Sequence, residues 1–315
     1  MLLRNLLAWA APAGPRSRLS VLMFHRVVPE VDPLFPDEMH AARFDELCGR
    51  LARWFHVLPL DEAARRLADG SLPSRPLSIT FDDGYADNRE VALPILQKHG
   101  LTATFFISTG FLDGGRMWND SLIETVRACR LAELDLSSLD LGRHPLASIE
   151  DRRAAVRSLV GQVKYQPVAR RLELCGQIAQ LAQVELPTDL MMSSEQVVEL
   201  RRAGMQIGAH TLSHPILAKL DEPAAEAEIL GSKQRLEELL GERVGLFAYP
   251  NGKPGEDYSP ANVELTRRLG FDAAVSTAWG ASRQGDDLMQ IYRFTPWDRS
   301  LSRFGWRMLA NLRRA

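Results

Sequence analysis

The sequence has few cysteines, no long apolar run and no excess of charge of either sign. Its three cysteines, Cys48, Cys129 and Cys175, lie far apart without CxxC spacing, so we expect neither a disulfide framework nor a zinc site built from thiolates. A formal net charge of −2 over 315 residues gives no overall signature of nucleic-acid binding, and we expect no nucleic-acid partner. Hydrophobic residues make up 45% of the chain, which is enough for a globular core and excludes disorder.

The two ends of the chain are set apart from the rest. The apolar run in residues 1–18 is much shorter than the ~18 residues that a membrane span requires. It fits a plain helix, a weak export signal or a helix lying on a membrane, so peripheral membrane contact is left open. Residues 301–315 are predicted to form a basic helix with a solvated face. We favour a cytoplasmic or inner-membrane-associated protein over an exported one, and the sequence indicates no oligomeric state.

Between the ends, short apolar segments alternate with helical patterns, which is typical of repeated βα units in an α/β fold. Polar caps support several boundaries: Ser193 with Gln196 forms a capping-box pattern before one helix, and Asp221 precedes another. Residues 112–192 interrupt this alternation with mainly charged helical sequence, and we interpret them as a helical insertion over one rim. Strands are predicted at 20–24, 55–58, 77–81, 102–107, 205–209, 246–248, 272–276 and 290–294, and helices at 41–54, 88–99, 194–203, 222–240 and 261–269.

Two carboxylates follow the strand predicted at 77–81. Asp82 and Asp83 stand where that strand leaves the sheet, and in α/β barrels active sites lie at this end of the strands. Neighbouring residues of a strand face opposite ways, so one Asp can meet a metal while the other takes a different role. A solvated Asp-Gly turn remains the alternative.

Two histidines follow a later strand, in the segment Gly208-Ala209-His210-Thr211-Leu212-Ser213-His214-Pro215. On a straight strand His210 and His214 would be ~13 Å apart, which is too far to share one ion. If the chain curls through a helical turn after His210, both rings fall on one face. Two histidines and one carboxylate then supply three ligands and leave a position for water, as a catalytic metal requires.

Three segments together resemble a known family. The stretches TFDDGY at 80–85, GAHTLSHP at 208–215 and FAYPNG at 247–252 are similar to three motifs of the polysaccharide deacetylases, also called carbohydrate esterase family 4 or NodB-homology proteins. The resemblance runs from about residue 19 to 294. It implies a distorted (β/α) barrel over 19–300 that includes the insertion, and metal-dependent removal of acetyl from an amino sugar. It also implies that Asp82 is the general base, with Asp83, His210 and His214 as metal ligands.

Two departures from the family pattern lead to further candidates. Many members carry an Arg in the third motif that pairs with the base, but this chain has Ala248-Tyr249 there, and Arg293 is the candidate replacement. Many members also use a late His as general acid, whereas this sequence has no histidine after His214. We therefore expect His25, at the end of the first strand, to donate the proton. This arrangement resembles members that act on poly-β-1,6-N-acetylglucosamine. A capped structural histidine is the alternative for His25, and a surface or structural arginine is the alternative for Arg293.

The third motif and one tryptophan are the candidate substrate contacts. Pro250 has no N–H group, so the nearest backbone donor for a developing oxyanion is the amide of Tyr249. Pro250 and Asn251 in the following turn, and Trp279 after a later strand, are expected to contact the sugar or its acetyl group. A plain turn and ordinary core packing are the alternatives for these residues.

The sequence thus predicts a deacetylase of an N-acetylated polysaccharide or oligosaccharide. The expected cofactor is a divalent metal, with zinc preferred and iron, cobalt, nickel or manganese as alternatives. A glycan-binding protein that has lost catalysis on the same scaffold is the second hypothesis. An Fe(II) oxygenase, which uses the same ligand types, is the third.

Overall fold

The computed structural model describes residues 2–296, 298 and 300–312, and it describes Val168 by its backbone alone. The chain forms two compact units, of which the first comprises Met1–Glu30, Asp37–Leu112 and Met192–Ala315. The second comprises Val31–Pro36 and Asp113–Met191, so nearly all of the expected insertion falls in it. No helix among the described residues combines the length and apolar character that crossing a membrane requires.

The secondary structure largely follows the predicted alternation. The strands are β1 (Arg18–Phe24), β2 (His56–Val57), β3 (Pro76–Phe81), β4 (Thr104–Ile107), β5 (Glu133–Asp135), β6 (Arg143–Pro145), β7 (Gln206–Ala209), β8 (Leu246–Ala248), β9 (Ala273–Trp279), β10 (Ser282–Arg283) and β11 (Ile291–Arg293). The helices are α1 (Leu2–Ala10), α2 (Ala41–Trp54), α3 (Leu60–Asp69), α4 (Leu93–Lys98), α5 (Trp118–Ala128), α6 (Ile149–Val163), α7 (Val168–Leu181), α8 (Ser194–Arg202), α9 (Glu222–Leu240), α10 (Pro260–Arg268) and α11 (Leu301–Asn311).

The sheet of the first unit is a nearly closed, mostly parallel barrel, as the family resemblance implies. Its strands follow the order β10-β1-β3-β4-β7-β8-β9-β11, with β2 on β3, and only β10 pairs antiparallel. Phe294 closes the ring: its N–H donates to Val21 and its carbonyl accepts from Met23, at 2.8 and 3.0 Å. The carboxyl ends of the parallel strands therefore meet at one rim.

Side-chain alternation on β3 explains how the barrel presents its polar groups. Phe81 stacks between Phe24 and Phe105 of the neighbouring strands and meets Phe44 of α2 edge-on. Because successive strand residues face opposite ways, Thr80 and Asp82 lie on the other face, where Arg293 contacts both. The core packing of Phe81 thereby orients Asp82.

The second unit consists of α5, α6, α7 and a hairpin of β5 and β6. Its core is formed by apolar residues of these elements, including Leu122, Leu134, Leu159 and Ile178. The hairpin was not expected from the sequence, since each of its strands has only three residues. The basic helix expected at 301–315 ends at Asn311, and residues 313–315 lie outside the described part of the chain.

Candidate metal centre and active site

The motif residues gather at the carboxyl ends of the barrel strands. Each follows or ends a parallel strand, so the topology brings residues far apart in sequence to the same rim. They are His25 after β1, Asp82 and Asp83 after β3, His210 and His214 after β7, Pro250 and Asn251 after β8, and Arg293 at the end of β11.

Asp83 faces both histidines of the second motif. Its Oδ1 atom lies 3.4 Å from Nε2 of His210 and 3.5 Å from Nε2 of His214. This oxygen is buried and has no hydrogen-bond partner. In a tetrahedral zinc site with metal–ligand distances of ~2.1 Å, any two ligand atoms are ~3.4 Å apart. The orphaned oxygen and the spacing therefore fit three ligands of one divalent cation.

His210 is held in the tautomer that a ligand needs. Its Nδ1 donates a 2.7 Å hydrogen bond to the carbonyl of Ala248 at the end of β8, which leaves the lone pair on Nε2. Histidine ligands of metals in proteins commonly donate their other ring N–H in this way. The Ala248 carbonyl thus fixes both the tautomer and the orientation of the His210 ring.

The segment between the two histidines bends without a helical turn, which corrects the geometry expected from the sequence. Thr211 and His214 have left-handed φ values of +66° and +54°, and the His214 amide donates to Thr211 Oγ1 at 3.1 Å. These bends bring the two rings to a centroid distance of 4.9 Å.

Glu228 of α9 secures this loop from below. Its Oε2 accepts the amides of Leu212 and Ser213 at 2.9 and 2.8 Å, and its Oε1 accepts the Ser213 hydroxyl at 2.5 Å. This role could not be predicted from the sequence, because Glu228 looks like any acidic residue on an exposed helical face.

Asp82 is paired with Arg293, the residue expected to replace the missing Arg of the third motif. Arg293 Nη1 lies 2.7 Å from Asp82 Oδ1, and both side chains are buried. Arg293 Nε donates to the carbonyl of Ser276 at 2.7 Å. The Arg293 guanidinium is held by the Ser276 carbonyl and therefore fixes the orientation of the Asp82 carboxylate.

The buried charges act on one another's pKa values. Burial raises the pKa of Asp82, but the positive charges of Arg293 and His210 outweigh it and hold that pKa below its ordinary value. Burial likewise raises the pKa of Asp83, and the two imidazoles lower it well below the usual range. Desolvation lowers the pKa of His214 to about 4. At neutral pH both carboxyls are therefore ionised and His214 is neutral. Burial lowers the pKa of His210, but the facing carboxylates of Asp83 and Asp82 raise it above its ordinary value, so a cation would take the place of a proton on its Nε2.

His25 lies exposed at the same rim, and two buried residues hold its backbone. Asn88 Nδ2 donates to the His25 carbonyl at 2.8 Å and to Asp87 Oδ1 at 3.1 Å. Asp87 also accepts from the Val27 amide and from Arg26 Nε. The charge of His25 contributes to lowering the pKa values of Asp82 and Asp83, which places it within electrostatic range of both.

The third motif is arranged differently from the expectation. The amide of Tyr249 donates to the Val275 carbonyl at 3.3 Å, so it is not a free donor, because parallel pairing with β9 continues one residue beyond β8. The Tyr249 ring is buried and stacks on Tyr258. Pro250 is buried, whereas Asn251 is exposed with a left-handed φ of +57°.

Trp279 ends β9 and remains 44% exposed. It pairs in register with Arg293 on the neighbouring strand. The guanidinium of Arg307 lies 5.2 Å from its ring centroid, so α11 covers part of the ring. One rim therefore carries an exposed aromatic surface near the Asp82–Arg293 pair.

Comparisons with known proteins identify the family of the chain. The family model described as polysaccharide deacetylase matches residues 69–138 and 146–274. YxkH of Bacillus subtilis (strain 168), named as a polysaccharide deacetylase, is 20% identical over 292 residues, which cover 91% of this chain and 74% of YxkH.

Two solved structures share the fold over almost the whole chain. The deacetylase PplD of Streptococcus pyogenes, in complex with acetate, is 18% identical with a TM-score of 0.62, covering 94% of this chain and 98% of PplD. IcaB of Ammonifex degensii is 20% identical with a TM-score of 0.57, covering 96% and 98% respectively. Since the family model spans well over half of the sequence, the chain belongs to the polysaccharide deacetylase family of hydrolases.

Proposed function

We propose that this protein is a metal-dependent hydrolase that removes N-acetyl groups from the amino sugars of a polysaccharide or oligosaccharide. One observation carries the proposal: the orphaned, buried Asp83 Oδ1 faces two imidazole nitrogens at 3.4 and 3.5 Å, with an Arg-paired carboxylate as its sequence neighbour. This combination supplies a cation site and a separate base.

Asp83, His210 and His214 would hold the cation. Their mixed nitrogen and oxygen donors suit zinc, and iron, cobalt, nickel and manganese accept the same set. When bound, a divalent cation supplies a Lewis acid and lowers the pKa of its water from ~15.7 towards ~7.

Asp82 is the base in this proposal. It is ionised at neutral pH because Arg293 and His210 hold its pKa down, and Arg293 fixes its orientation. A positioned carboxylate that takes a proton from the attacking water contributes about 10²–10⁴-fold to the rate.

We assign to His25 the proton transfer to the leaving amine of the sugar. The amide C–N bond breaks only when the leaving sugar nitrogen is protonated, and the His25 side chain is exposed at the rim that holds Asp82 and Asp83. Acetate and a free amino sugar are the products.

The remaining predicted contacts concern the substrate. The exposed Trp279 offers a ring face on which a sugar or an acetyl methyl can pack, and Pro250 and Asn251 line the turn after β8. The Tyr249 amide can hold an oxyanion only by giving up or sharing its long hydrogen bond to Val275.

The substrate class proposed first is a β-1,6-linked N-acetylglucosamine polymer. Its support is the resemblance noted above: an early histidine, His25, stands in for a late one.

Acetate release from N-acetylglucosamine oligosaccharides, β-1,6-linked and β-1,4-linked in parallel, tests the function. We expect the wild-type chain to release acetate in the presence of a divalent metal. The Asp82→Asn variant should release no acetate but still bind the metal, whereas the His210→Ala variant should neither release acetate nor bind the metal. Oligosaccharide binding without acetate release by the metal-loaded wild type would establish the glycan-binding hypothesis instead, and a requirement for dioxygen would indicate an oxygenase.

A further inference from the structure

The two ends of the chain contain arginine and no acidic residue. Residues 1–18 and 299–315 contain no Asp or Glu, although the chain as a whole has a net charge of −2. Their eight arginines are Arg4, Arg16, Arg18, Arg299, Arg303, Arg307, Arg313 and Arg314, of which Arg299, Arg313 and Arg314 lie outside the described residues. The two segments are therefore strongly cationic on an otherwise acidic protein.

Helix α1 exposes apolar residues on one side. Leu7 is buried and anchors the helix, whereas Leu2 and Trp9 are 70% and 75% exposed. Seven residues span almost two helical turns, so Leu2 and Trp9 share a face. An exposed leucine alone is ordinary, but a helix with two large apolar side chains on its open face is not typical of a solvated surface.

Helix α11 packs against α1 and exposes a similar side. A Cβ atom on Gly305 would come within 2.3 Å of Leu3 and 3.4 Å of the Trp54 ring, so the absence of a side chain there permits the close approach. The next residue, Trp306, is 55% exposed. Trp306 and Leu2 are thus the sequence neighbours of Gly305 and Leu3, through which the two helices touch.

An arginine borders one of these exposed rings. Arg303 lies one turn before Trp306 on α11, and its side chain is 79% exposed. It contacts Asp298 at 3.4 Å, and that carboxylate is almost completely buried. Arg4 is exposed on α1, about 200° round the helix from Leu2. Positive charge therefore lies beside Trp306.

We propose that this surface, the α1–α11 face, docks on an anionic phospholipid membrane. We define it by the apolar Leu2, Trp9 and Trp306 and the basic Arg303. Tryptophan favours the headgroup region of a bilayer, and arginines beside it attract anionic lipids. Charge complementarity selects an anionic lipid surface as the occupant, since both helices carry arginine and no acidic residue.

Vesicle sedimentation of the full chain tests the proposal. We expect binding to vesicles of phosphatidylglycerol and phosphatidylcholine, little binding to phosphatidylcholine alone, and weaker binding as salt rises. Arg303→Gln should weaken the partition coefficient by about 5-fold. Trp9→Ser with Trp306→Ser should weaken it by about 10-fold or more.

Matched controls distinguish docking of this face from non-specific adsorption to vesicles and from misfolding. Tyr165, on the second unit, is 82% exposed, so Tyr165→Ser removes an equally open aromatic ring and should leave binding unchanged. Arg65→Gln removes an exposed arginine of α3 and should also have no effect. Each variant must keep the thermal midpoint of the wild type within a few degrees. Where the double tryptophan variant does not, Trp9→Phe and Trp306→Phe keep the packing. Vesicles should then protect the tryptophan fluorescence of each single variant from a collisional quencher less than they protect that of the wild type.

Three results would overturn the proposal. The first is no sedimentation with anionic vesicles at low salt. The second is equal loss of binding in Tyr165→Ser and the tryptophan variants. The third is a dimer by sedimentation equilibrium that the tryptophan variants dissociate, which would make a second copy of this chain the occupant of the face.

Discussion

Arg293 reaches from the last barrel strand to Asp82, whose Oδ1 lies 2.7 Å from its Nη1, while its Nε holds the carbonyl of Ser276. Both side chains are almost completely buried. The pair is the one expected from the sequence, where Ala248-Tyr249 stands in place of the arginine of the third motif.

Removing this arginine should harm both stability and activity. Arg293→Met leaves the Asp82 carboxylate buried without a partner, which costs about 3–5 kcal/mol in the free energy of unfolding. Urea titration measures this loss. The double variant Arg293→Met with Asp82→Asn should recover much of the stability and none of the acetate release. A double variant no more stable than Arg293→Met would contradict the pairing.

Metal binding should stabilise the fold through Asp83 and not through Asp82. A cation present at 100 times its Kd adds about 2.7 kcal/mol of stability, so adding zinc to chelator-treated wild type should raise its Tm. Asp83→Asn should abolish the rise, and Asp82→Asn should keep it. Calorimetry with metal analysis of the dialysed proteins measures both. A Tm rise that survives in Asp83→Asn would place the ion elsewhere.

The Asn88 side chain should matter for turnover through the backbone of His25. His25→Gln is expected to lower kcat by about 10²–10⁴-fold if it removes the proton donor. Asn88→Ala, which loses the 2.8 Å bond to the His25 carbonyl, should lower kcat by about 10-fold or more because small displacements of a reacting group are costly. Metal content should stay normal in both.

Glu90→Ala, an exposed change on the same turn as Asn88, is the control and should retain the wild-type kcat. Full activity of Asn88→Ala would remove the positioning role that the structure suggests for this residue.

A methyl group at Gly110 should disturb the metal ligands from outside the motifs. Its Cβ would come within 2.6 Å of the Leu212 carbonyl, which lies between His210 and His214. Gly110→Ala should therefore cost about 1–3 kcal/mol of stability and weaken metal binding. Gly176→Ala, within α7 where nothing lies within 4 Å of the new atom, is the matched control and should be neutral or stabilising. Equal metal affinity in Gly110→Ala and the wild type would refute the coupling.

The Asp32–Arg127 pair of the second unit should make stability depend on pH. Burial raises the pKa of Asp32, but hydrogen bonds from Arg127 and the Leu34 amide lower it below its ordinary value. A carboxyl with a depressed pKa adds stability above its unfolded pKa of ~3.9 and loses it as the pH falls further. Asp32→Asn should thus cost about 1 kcal/mol at pH 7, because the pair is partly solvated.

This cost should vanish towards pH 3 and below. Thermal unfolding of Asp32→Asn and the wild type across this range measures it, and a constant difference between them would contradict the assignment.

The sequence predicted the strands well because buried parallel strands leave clear apolar runs between capped helices. The strand predicted at 246–248 is observed at Leu246–Ala248, and the capping box of Ser193 with Gln196 is present. Helix α3 was missed, since it starts after Pro59 with no side-chain cap.

The residues of the candidate site could be predicted from the sequence, but the backbone geometry and hydrogen bonds that arrange them could not. The left-handed bends at Thr211 and His214, the support from Glu228, and the bond from the Tyr249 amide to Val275 depend on neighbouring strands and helices. A single sequence does not record such contacts. Arg293 could be named only because this chain lacks the arginine that many family members carry in the third motif.

Asp83, Thr211, His214 and Asn251 all have side chains and positive φ angles of +54° to +78°, a backbone state that costs energy away from glycine. Neighbouring groups hold the bends between the two histidines: Glu228 accepts the amides of Leu212 and Ser213, and Thr211 Oγ1 accepts the amide of His214. These hydrogen bonds offset the backbone strain of the ligand loop. The loop that carries the two histidines is therefore only as stable as its contacts with α9.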